Sequence, residues 1–102
     1  MEENLVIQEK DIKNKTFEIR GVKIMLDVDL ATFYGYETKD FNRKLKSKIN
    51  RFPSEKYMFE LTKEEMMDVI QKNPRLDTLK HSTTTPKAFT QFGILMLASA
   101  LN

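Results

Sequence analysis

One glycine, Gly35, separates two short stretches of helical spacing, and that break limits the folds open to the chain. Before it, Leu26, Leu30, Phe33 and Tyr34 recur at the three- and four-residue intervals of a helix. After it, Phe41, Leu45 and Ile49 do so again. Glycine takes positive φ without a Cβ clash, so a left-handed cap is expected at Gly35. Ala31 is small and precedes the glycine by one helical turn, where two helices would touch. Asp27 is placed as an N-cap, and Asp29 adds negative charge to the same first turn. Thr38 is placed to cap the second helix, which is expected to reach about Asn50, shortly before Pro53. This spacing predicts a helix-turn-helix over about residues 26–51, although the inner stripe keeps four-residue steps where a three-residue step is commoner.

The second helix has two unlike faces. At about 100° per residue, Phe41, Leu45, Ile49 and Phe52 form one apolar stripe. Lys39, Arg43, Lys46 and Asn50 form the opposite face, with Asn42 at its flank. Lys and Arg suit guanine edges or phosphates, and Asn suits adenine. Lys48 and Arg51 fall off that face and suit backbone phosphate better. A charged face often does no more than solvate a helix. Here it is nearly all one sign, without the alternation of acid and base that a solvating face carries. Residues 38–51 hold six lysines and arginines against one acid, Asp40, although the whole chain is only +2. The rest of the chain is therefore net negative, and the basic segment reads as a polyanion site.

Other segments are shorter signals. Leu5-Val6-Ile7 reads as a strand. Phe17-Glu18-Ile19 and Val22-Lys23-Ile24 alternate around Arg20-Gly21, which predicts a tight hairpin. Tyr57, Phe59 and Leu61 alternate as a strand. Thr62 and Glu65 then have capping-box spacing, and Leu61 and Met66 are placed as its hydrophobic staple. The helix that follows turns Met66, Val69 and Ile70 inward and is expected to stop at Asn73-Pro74. Residues 75–88 are polar and read as a loop or loose hairpin, whose Lys80 and Lys87 could form a wing against phosphate. Thr90 is placed to cap a last helix to Leu101, apolar nearly all round and so expected to be buried on several sides.

Several function classes lack their residues. With no cysteine there is no disulfide, thiolate zinc site or thiol nucleophile. His81 is the only histidine and sits in a polar stretch without a ligand set. Ser82-Thr83-Thr84-Thr85 has no base beside it, and the three glycines make no phosphate cradle. The six methionines read as core filler. Met1-Glu2-Glu3-Asn4 is no signal peptide, and the longest apolar run, Ile94 to Ala98, is far too short to span a bilayer. No enzyme activity, metal or cofactor is expected, and a cytoplasmic location is.

Several linked motifs resemble one family. They are Val22-Lys23-Ile24-Met25-Leu26-Asp27-Val28-Asp29-Leu30-Ala31 with Tyr34-Gly35, then Phe41-Asn42, Asn50-Arg51-Phe52-Pro53 and Met58-Phe59-Glu60-Leu61-Thr62. Ala88-Phe89-Thr90 with Gly93 and Met96-Leu97 completes the set. Together they resemble the phage ORF-six N-terminal domain family, a relative of KilA-N, over about residues 5–101. The resemblance implies a compact α+β domain that binds DNA without catalysis, found in phages, prophages and mobile elements, often in antirepressor-like proteins. It departs at Gln91-Phe92, where the family usually has Glu-Gln, and at residues 80–87, which are often richer in arginine. The link from Pro53 to the Tyr57 strand is also about one residue longer.

The expected fold is therefore α+β, a small single domain over 1–102 with a helix-turn-helix, a short β-hairpin or sheet and a C-terminal apolar helix. It is expected to be the N-terminal part of a longer protein, since no helix stop signal precedes Asn102. The expected function is duplex DNA binding in transcription regulation, through Lys39, Asn42, Arg43, Lys46, Lys48, Asn50 and Arg51. The alternative is a protein-interaction module that binds a repressor or a second copy through the last helix.

Overall fold

The computed structural model describes residues 14–48, 55–82 and 84–100. The strand expected at Leu5-Val6-Ile7 lies outside them, as do Ile49 to Pro53. The architecture is α+β, as expected, and is built on a four-stranded antiparallel sheet.

Strands β1 (Thr16–Ile19) and β2 (Val22–Leu26) form the expected hairpin. Both turn residues have positive φ, 57° at Arg20 and 76° at Gly21, which is the twist a two-residue hairpin turn requires. Helix α1 (Asp27–Tyr34) follows β2 directly. Gly35 ends it in the left-handed region at φ 79°. The Gly35 and Tyr36 N–H groups donate to the carbonyls of Thr32 and Ala31 at 3.1 and 2.8 Å, the paired bonds of a Schellman cap. Helix α2 (Thr38–Lys46) begins three residues later.

Strand β3 (Met58–Glu60) leads into helix α3 (Lys63–Lys72), whose expected capping box is complete. Glu65 N–H donates to Thr62 Oγ1, and Thr62 N–H donates to Glu65 Oε1. Leu61 and Met66 are both buried in one cluster beneath it. Pro74–His81 is a 3₁₀ helix, and strand β4 (Lys87–Thr90) precedes helix α4 (Gln91–Ala100). Thr90 caps α4 as expected, its Oγ1 accepting the Gly93 N–H at 3.2 Å.

The reading of residues 75–88 as a loop or loose hairpin is corrected at its two ends, where Pro74–His81 is helical and Lys87 begins β4, while Ser82 and residues 84–86 carry no regular structure. The 3₁₀ helix buries Leu76 and partly buries Leu79, which eclipse each other at its three-residue period. Lys80 pairs within that helix with Asp77, and Lys87 belongs to the sheet.

The strand order is β1-β2-β4-β3, so the last strand in sequence is a central one. Alternation splits its residues between two layers of core. Leu26, Ala88 and Phe59 lie in one cross-strand row, packed with Ile24, Met66, Val69, Ile70 and Leu76. Met25, Phe89 and Met58 lie in the next row, packed with Leu30, Ala31, Phe41, Leu45 and Leu97. Helix α3 therefore covers one face of the sheet, and α1, α2 and α4 cover the other.

Helix α4 departs from its expectation. Leu97 is buried, but Phe92 and Leu95 are 49% and 68% exposed, so α4 is covered on one side rather than several. Among the described residues, no helix is long and apolar enough to cross a membrane.

Candidate nucleic-acid interface

Helix α2 has only nine residues, too short to be stable alone in water. Phe41 and Leu45 anchor it. Burying each is worth about 2–3 kcal/mol. The Phe41 ring packs edge-on to Phe89 at 6.0 Å between centroids and also meets Tyr34 and Tyr36. With that stripe held inward, Lys39, Arg43 and Lys46 are exposed on the outer side. The structure thus brings together three of the expected site residues on one face.

Arg43 pairs with Asp40 at 3.3 Å, and its side chain is still 73% exposed. An exposed pair of this kind contributes well under about 1 kcal/mol, too little to hold the guanidinium from a phosphate or a base. Arg43, Lys44 and Lys46 also stand in the last turn, where cations complement the helix dipole.

The helix ends earlier than expected, at Lys46 rather than about Asn50. The Lys48 N–H bonds back to the Leu45 carbonyl and Ser47 Oγ donates to the Lys44 carbonyl, closing the turn. Lys48 therefore lies beyond the helix and is half-buried. Asn50 and Arg51 lie outside the described residues.

The sheet supplies the other wall. Lys39, Asn42, Arg43, Leu45 and Lys46 share an open groove with Met58, Glu60 and Lys87. Lys87 is 3.9 Å from Glu60, its register partner across β4 and β3. Lys87 is thus a cation of the groove, brought there by β4, although residue 87 falls in a stretch whose composition predicts a loop.

The capping assignment at α1 is corrected for Asp27, while Asp29 stands in the first turn as expected. Leu26, not Asp27, is the N-cap of α1, and no side chain caps that end. The Asp27 carboxylate is buried and engaged elsewhere: Asn42 Nδ2 donates to its Oδ2 at 2.9 Å. Burial pushes the Asp27 carboxyl above the usual carboxylate range, and the bond from Asn42 opposes that rise. Asp29 accepts a two-pronged bond from Arg75, at 2.9 and 3.0 Å. Thr38 is likewise inside α2, whose N-cap is Glu37.

A family model described as the ORF6N domain matches residues 14–100. The chain belongs to the ORF6N domain family. No curated protein and no solved structure gives a significant match. In this ORF6N domain, the basic outer face of α2 was legible from residue spacing, whereas its second wall was not. The buried acid had a signal in the sequence. Asp27 stands one helical turn before Leu30 and Ala31, on their buried side, where a solvated cap would not point. Among the described residues, no group of three or more acidic, histidine or cysteine side chains could hold a metal ion.

Proposed function

We propose that this ORF6N domain binds duplex DNA through the outer face of α2, as part of a phage-derived, antirepressor-like regulator acting in the cytoplasm. The observation that carries the reading is the joint exposure of Lys39, Arg43 and Lys46 opposite the buried Phe41 and Leu45. Two helices joined tightly at Gly35 support a helix-turn-helix assignment, in which α2 enters the major groove. Arg43 is the strongest candidate for two-pronged contact to a guanine edge. Lys39, Lys46, Lys48 and Lys87 supply phosphate contacts, with Asn50 and Arg51 as further candidates from the sequence. Binding is the whole activity in this reading, with no reaction and no cofactor.

Fluorescence anisotropy with a labelled duplex tests it, at two salt concentrations, for the wild type and for Arg43→Glu/Lys46→Glu. Affinity that falls with salt and disappears in the variant is expected. A folded wild type that binds no duplex at low salt overturns the reading.

A second reading has its own observation. Helix α4 carries no charged residue and exposes Phe92 and Leu95, which fits an interface with a second copy or a repressor protein. Leu95→Lys separates the two: it would disrupt self-association in sedimentation and leave the α2 surface untouched.

A further inference from the structure

Asp27 is a carboxylate only 4% exposed, at the start of α1. It joins two helices: it belongs to α1, and it accepts from Asn42 in the middle of α2 at 2.9 Å. Asn42 is adjacent to Arg43 and lies one turn from both Lys39 and Lys46. Its other amide atom, Oδ1, is buried and has no hydrogen-bond partner.

Reading an adenine takes both ends of an asparagine amide. In Asn42 one end is bound to Asp27 and the other is enclosed. The side chain is thus arranged as a strut and not as a reader. A short helix fixed by one stripe, Phe41 and Leu45, retains a roll about its own axis. Asn42 projects about 100° around the helix from Phe41, so a bond there restrains that roll.

We infer that Asp27 is a positioning residue for the DNA surface: through Asn42 it fixes the roll of α2, and with it the direction in which Lys39, Arg43 and Lys46 project. The inference rests on the DNA-binding reading for its consequence but not for its geometry, and its test separates the two.

The test uses the full chain in four variants: Asp27→Leu, Asp27→Asn, Asn42→Leu and Val69→Ala. Hydrogen exchange of the α2 amides is read without DNA, and anisotropy is read with a labelled random duplex well below each melting temperature. Asp27→Leu and Asn42→Leu are expected to speed α2 exchange. Each is also expected to weaken duplex binding by about tenfold, the scale of one lost hydrogen bond to a charged group. Asp27→Asn keeps an acceptor for Asn42 and is expected to stay close to wild type in both readouts. Val69→Ala lowers stability from the opposite face of the sheet and should change neither. If Asp27→Leu does not fold, Asn42→Leu still decides, because a base reader would lose affinity with unchanged exchange in the free protein. That result, or a folded Asp27→Leu with wild-type exchange and affinity, overturns the inference. A wild type that binds no duplex sinks the DNA reading alone, and the exchange data still decide whether Asp27 restrains α2.

Discussion

Gly93 in α4 lies directly against the carbonyl of Tyr57, and a Cβ at that position would overlap the oxygen. That oxygen already accepts the Thr90 N–H at 3.0 Å and the Thr90 hydroxyl at 3.2 Å, so it has little room to withdraw. Gly93→Ala is therefore expected to cost about 2 kcal/mol or more through overpacking. A thermal melt checks this, and an unchanged melting temperature would show that the β3 approach yields easily.

Asp29 is held by Arg75, whose own side chain is partly exposed. Removing the arginine strands a carboxylate in the core. Arg75→Ala is expected to cost about 2–4 kcal/mol, and Asp29→Asn/Arg75→Ala less than Arg75→Ala alone. Denaturant unfolding of the single and double variants measures the difference. Equal stabilities would mean that Asp29 finds water or another donor.

Two carboxylates should bend the pH profile in opposite senses. The hydrogen bond from Arg20, with support from the Thr62 N–H, holds Glu65 below its ordinary range. A lowered folded-state value contributes stability that is full above the unfolded value and lost as pH falls through the folded one. Asp27 is raised by burial, so the folded state holds its proton over a window where the unfolded chain has lost it. Its contribution falls as pH rises through that window. In melts from about pH 3 to about pH 7, Glu65→Gln should approach wild-type stability at the acid end. Asp27→Asn should gain on the wild type as pH rises. Parallel profiles for all three proteins would contradict both assignments.

If Lys39 meets a phosphate, Lys39→Ala should weaken binding to every duplex alike. It should also lower the slope of log affinity against log salt by about one. Arg43→Ala should instead reduce preference among sequences if it reads a base. Titrations at several salt concentrations, on random and selected duplexes, distinguish the two. Identical slopes for wild type and Lys39→Ala would remove Lys39 from the interface.

Where the sequence was informative, a single residue type met a local geometric demand. Arg20-Gly21 between alternating segments marked the hairpin, Gly35 marked the left-handed cap, and Thr62 with Glu65 marked the start of α3. Strand β4 escaped notice because its identity is not local. Lys87–Thr90 is four residues long, follows a threonine-rich stretch and Pro86, and becomes a strand only by pairing with β2 and β3. The groove wall escaped with it. Helical angle alone places Asn42 beside the basic face, and its bond to the buried Asp27 has no signal in that angle.

The central position of β4 has a consequence for synthesis on the ribosome. Until Lys87–Thr90 has emerged, β2 and β3 have no strand between them, and Met25 and Phe59 lack the neighbours that cover them. The hairpin and the helices ahead of it can flicker into shape, but neither core layer closes. The domain is thus one that the nascent chain completes late and all at once, when its last strand threads between two that have been waiting.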